Sequence, residues 1–138
     1  LSGGGFVDEG FVMEQQIILA VLAKHPEINT AYIFGSIAKG TATPDSDLDI
    51  AVQSEKLLTT EQHISLVEDL ALATGRPIDL IDLKTAGEPL LGQILQGVRL
   101  IGSDTNHAEL IKRHLFDSAD FLPYVERMLA ERRAQWTK

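Results

Sequence analysis

A chain of 138 residues, 44% hydrophobic and 23% charged, is sized for one domain that buries its own core without staples. It has no cysteine, which excludes a disulfide framework and a thiolate metal site, and its formal net charge of −8 argues against direct nucleic-acid binding. Apolar runs such as Ile17 to Ala23 are too short to cross a bilayer, and no basic region with an apolar core opens the chain. The expectation is a cytoplasmic protein with no membrane contact.

Residues 1–12 are glycine-rich and lack periodicity, so they read as a disordered arm or upstream extension, with Met13 a plausible natural start. A single domain is expected over residues 13–138. It opens with a helix from Met13 to about His25 that Pro26 stops. Thr30 to Phe34 is β-branched and aromatic, hence a strand ended by Gly35. Turn chemistry fills Ser36 to Ser46, and a second strand covers Asp47 to Gln53. The short link predicts that these two strands are antiparallel.

Thr59-Thr60-Glu61-Gln62 matches a capping box and starts a helix that runs to about Thr74, with Gly75 as its C-cap. A third strand follows Pro77 over Ile78 to Leu83, then a short helix from Glu88 to Gln96. A fourth strand spans Val98 to Ile101. Ser103 or Asp104 caps a last helical stretch that Pro123 kinks or restarts. The order gives an α/β (α+β) fold: a small mixed sheet of about four strands with helices mainly on one face. Basic residues at Lys112, Arg113, Arg127, Arg132, Arg133 and Lys138 read as a solvated helix face.

Asp47 and Asp49 are two residues apart on a strand, so their carboxylates point the same way, with Cα atoms roughly 6.5–7 Å apart. Such hard oxygen ligands suit magnesium beside substrate phosphates. Gly35 lets backbone approach an anion closely, and Ser36 adds a hydroxyl donor. Lys39 is a candidate point charge for a triphosphate, with an ordinary solvated lysine as its rival. Asp79 on the third strand can bring a third carboxylate to the same surface. Asp82 lies on the opposite face near the strand end, and Asp79 is preferred over it. His25, His63, His107 and His114 are scattered without metal-ligand spacing. Phe121, Tyr124 and Trp136 read equally as helix packing or a partner patch.

Gly35-Ser36, ten residues, then Asp47-Leu48-Asp49 resembles the signature of the DNA polymerase β-type nucleotidyltransferase superfamily. The run Phe34 to Asp49, with Gly75-Arg76-Pro77-Ile78-Asp79-Leu80-Ile81, is similar to its minimal nucleotidyltransferase branch. That resemblance implies Asp47, Asp49 and Asp79 as catalytic carboxylates holding two magnesium ions, with a nucleoside triphosphate at Gly35 and Ser36. It further implies an antitoxin that transfers AMP from ATP to a tyrosine hydroxyl of a HEPN-family toxin. Two alternatives stand beside it: a binding module that blocks the toxin without chemistry, and nucleotidyl transfer to a small molecule.

Overall fold

A computed structural model of the chain describes residues 9–117 and 121–136. The elements run α1 (Glu9–Leu22), β1 (Ile28–Phe34), α2 (Gly35–Lys39), β2 (Leu48–Ser54), α3 (Thr60–Thr74), β3 (Ile78–Asp82), α4 (Leu90–Leu95), β4 (Val98–Ile101), α5 (Asp104–Asp117) and α6 (Phe121–Trp136). The strands form one sheet in the order β3-β2-β1-β4. β1 pairs antiparallel with both β2 and β4. β2 and β3 run parallel, a pairing that needs a long crossover, which α3 supplies.

Alternation along the strands divides the core. Ala31 and Ile33 of β1 with Leu48, Ile50 and Val52 of β2 point to one face, where Ile18, Val21 and Leu22 of α1 and Leu66 and Leu70 of α3 cover them. Tyr32, Phe34 and Ala51 point to the other face and meet Leu91 and Ile94 of α4 and Leu110 of α5. The larger cluster thus lies under α1 and α3, and a smaller one under α4 and α5.

Local chemistry explains the boundaries. Thr59 Oγ1 accepts from the Gln62 amide at 3.1 Å, and Gln62 Oε1 accepts from the Thr59 amide at 3.0 Å, so the capping box forms as its spacing predicts. Gly75 closes α3 at φ 71°. Ser103 Oγ accepts from the Asn106 amide at 3.0 Å at the start of α5.

Two expectations are corrected. The helix expected from Met13 begins at Glu9, so residues 9–12 are helical rather than part of a disordered arm; residues 1–8 of that arm lie outside the described residues. Phe11 packs against the main core, and this tertiary contact overrides the weak helix propensity of a glycine-rich start. The stretch expected to be turn throughout, Ser36 to Ser46, begins as the short helix α2, because Ile37 is drawn into the core. Gly40 ends it in a left-handed C-cap at φ 75°. The side chains of Phe121, Tyr124 and Trp136, read as packing or partner residues, lie outside the described residues.

Candidate active site

The site grows out of one cross-strand row. Phe34 faces Asp49 across the antiparallel pair, and Asp49 faces Asp79 across the parallel pair, so three strands present adjacent residues on one side of the sheet. Asp47 shares that side by alternation and stands exposed one residue before β2 begins. The row opens into a cleft of about 710 Å³ lined by Phe34, Gly35, Lys39, Asp49, Asp79 and Gln93, among others.

Gly35 turns the chain from β1 into α2 at φ 73°. A Cβ at this position would collide with Asp49 Oδ2 and lie 3.1 Å from its Cγ, so only glycine lets the backbone pass beside the carboxylate. Gly97 has a similar part at the other wall, where a Cβ would collide with the Ile33 carbonyl oxygen. Ser36 lies in the first turn of α2, and its carbonyl accepts from the Thr41 amide at 3.0 Å, tying the loop back to the helix. Lys39 ends α2 and faces the cleft.

The carboxylates feel one another. Burial first, then the charge of Asp79, a hydrogen bond with that carboxyl, and the charge of Asp47 raise the Asp49 pKa above its ordinary 3.8. Among the described residues, no three His, Cys, Asp or Glu side chains are gathered closely enough to form a ready metal cage. The donor set nevertheless suits a hard divalent cation: it is all carboxylate, it is crowded, and its mutual repulsion is of the kind that a cation would relieve.

The other aspartate of β3 is engaged elsewhere. Asp82 Oδ2 accepts from the Leu58 amide at 3.1 Å and Oδ1 from the Lys84 amide at 2.9 Å, which caps the end of the strand. Three of the four histidines are held in pairs on different elements. His25 bonds Asp69 at 2.7 Å, His114 bonds Glu88 at 2.7 Å, and His107 bonds and stacks on Tyr32. Two cleft residues, and the contacts of a third residue outside the cleft, escape a reading by motif. Gln93 of α4 and Gln96, which follows its last residue, line the cleft. Arg76 reaches the loop before Asp47, donating to the Ser46 carbonyl at 2.8 Å. No local spacing signals these partners, which lie far apart in sequence.

Paired carboxylates beside a glycine corner, at the open end of a mixed sheet, define a class of phosphoryl- or nucleotidyl-transfer site. Residues 16–106 match the family described as Polymerase beta, Nucleotidyltransferase, and the chain belongs to that family. Protein adenylyltransferase MntA of Shewanella oneidensis is 35% identical over 91 residues, which cover 65% of this chain and 66% of that relative. A crystal structure of a toxin–antitoxin with AMP-PNP superposes with a TM-score of 0.64 at 26% identity, covering 89% of this chain and 95% of the other. A tri-AMPylated Shewanella oneidensis HEPN toxin in complex with MNT antitoxin gives a TM-score of 0.61 at 23% identity, over 92% and 96% of the two chains, which is a likeness of fold. No helix among the described residues is long and apolar enough to cross a membrane.

Proposed function

We infer that this nucleotidyltransferase is a protein adenylyltransferase that moves AMP from ATP to a hydroxyl, a tyrosine by family resemblance, of a partner HEPN toxin and thereby neutralises it in the cytoplasm. The observation that carries this is the Asp49–Asp79 pair standing against Gly35 in an open cleft. The similarity to Protein adenylyltransferase MntA supports the choice of reaction.

In this reading Asp47, Asp49 and Asp79 would hold divalent magnesium, two ions in the family pattern. When bound, magnesium neutralises triphosphate charge and favours the ionised acceptor oxygen. Gly35 admits the phosphates close to backbone, Ser36 donates its hydroxyl to them, and Lys39 adds a positive charge at the cleft wall. The acceptor oxygen forms a bond to the α-phosphorus as the bond to the bridging oxygen breaks, and pyrophosphate leaves. Asp79 takes the proton from the acceptor hydroxyl.

The cleft is open, which suits an acceptor carried on a large partner. A second reading, in which the chain blocks the toxin without chemistry, is favoured by apolar side chains left exposed on the last two helices, Phe116, Met128 and Leu129 among them. Incubation with labelled ATP, magnesium and the partner toxin separates the two. Wild type should label the toxin, and Asp47→Ala should lower labelling by at least about a hundredfold, equivalent to several kcal/mol of lost charge stabilisation. Equal labelling by both proteins sinks the catalytic role of Asp47. Full protection from the toxin by Asp47→Ala, without labelling, establishes the blocking mode.

A further inference from the structure

Arg76 has no part in the transfer chemistry above, yet its guanidinium joins three separate pieces of the domain. Its Nε donates to Glu14 Oε2 at 2.5 Å and its Nη2 to Glu14 Oε1 at 3.3 Å, a two-pronged pairing that fixes the guanidinium plane against α1. With that plane fixed, Nη1 points into the loop before β2. It donates to the Thr43 carbonyl at 2.7 Å and the Ser46 carbonyl at 2.8 Å, with the Pro44 carbonyl at 3.4 Å.

The Ser46 carbonyl belongs to the peptide that leads into Asp47. The Arg76 and Glu14 side chains are only 14% and 16% exposed, so this ion pair is less screened than a surface pair. The loop closes on itself through the Thr43 amide to Ser46 Oγ at 2.8 Å and the Ser46 amide to the Thr43 carbonyl at 3.0 Å. Those bonds shape the turn. Arg76 ties the shaped turn to α1 and to the start of β3, where the Leu48 amide donates to the Pro77 carbonyl at 2.9 Å.

We propose that Arg76, anchored by Glu14, is a positioning residue that holds Asp47 where it can serve as a metal ligand. The proposal rests on the nucleotidyl-transfer reading of the site. Asp49 and Asp79 lie inside paired strands and keep their places through the ladder, whereas Asp47 precedes β2 and depends on the loop. Lysine could not replace the arginine in full, because a single ammonium lacks the planar fork that spans a carboxylate and two carbonyls. Glu14 also neutralises the guanidinium, which keeps it committed to the loop instead of competing for substrate phosphates.

The test is direct Mn²⁺ binding to the full chain, without nucleotide or partner, alongside melting temperature and amide exchange of residues 41–47. Arg76→Gln should weaken Mn²⁺ binding roughly 10- to 100-fold, the range found when groups that orient metal ligands are removed. Residues 41–47 should exchange faster, and Arg76→Lys should restore part of the affinity. A lowered melting temperature with unchanged Mn²⁺ affinity overturns the proposal, because it shows a structural role alone. If Arg76→Gln does not fold, Glu14→Gln decides by the same two readouts, with unchanged affinity again the overturning result. Asp47→Ala is the reference: if it binds Mn²⁺ as wild type does, the reading of the site fails. The clamp itself is then judged by exchange, which faster exchange supports and unchanged exchange overturns.

Discussion

Gly35 and Asp49 form a pair in which each dictates the other. The left-handed backbone at φ 73° costs a non-glycine residue about 1–2 kcal/mol, and a methyl group there would also strike the Asp49 carboxylate. Gly35→Ala should therefore lower the melting temperature modestly and, on the proposed role of Asp49, AMP transfer by about a hundredfold or more, since a displaced reacting group costs far more in chemistry than in stability. Thermal denaturation and a labelling assay check both halves; unimpaired transfer would show that the Asp49 position tolerates displacement.

Asp49 itself makes a pH prediction. Its folded pKa is raised above 3.8, so the native state holds the proton more tightly than the unfolded chain. The associated stability is fully present below pH 3.8 and is lost as the pH rises through the raised folded value. In EDTA, Asp49→Asn should melt higher than wild type at neutral pH, with the gain shrinking on acidification toward 3.8. A gain that stays constant across that range would assign it to something other than charge. At this scale the sequence was informative where spacing is local: the parity of a strand separates Asp79 from Asp82, and the geometry agrees, with Asp79 beside Asp49 and Asp82 bonded to backbone. The Arg76 clamp was not legible, because Glu14 and Thr43 approach it only through tertiary packing.

Among the elements, α3 was the most readable, since both ends carry their own chemistry in Thr59, Gln62 and Gly75. Thr59→Ala removes the hydroxyl that accepts from the Gln62 amide and should cost about 1 kcal/mol, seen as a fall of a few degrees in melting temperature. Because α3 packs on the face opposite Asp49, AMP transfer below the melting range should stay at the wild-type level. A large loss of transfer would mean that α3 communicates with the cleft. The contrast is α2. Glycine, serine and threonine around it spell a turn, and its helical start follows from burial of Ile37, a contact that local propensity does not encode. The start of α1 likewise depends on a tertiary contact, through Phe11.

For the whole molecule, the mixed sheet and its antiparallel first pair followed from link lengths and strand chemistry, and both are present. The division of the core into two clusters was harder to anticipate. It depends on which helices the crossover sends to each side, and β1 and β2 bury residues on both faces. The cleft lies on the side of the smaller cluster, so the larger core forms a rigid floor beneath the carboxylates while their upper side stays open to a partner.

The parallel pairing of β2 with β3 also sets a schedule. Asp47 and Asp49 leave the ribosome while their antiparallel neighbour β1 is already at hand, but their companion on β3 follows only after the whole of α3 has been synthesised. A nascent chain halted in α3 carries the glycine corner and two aspartates without the third. The carboxylate row is therefore completed late, as a consequence of completing the middle of the sheet, and an unfinished molecule carries only part of it.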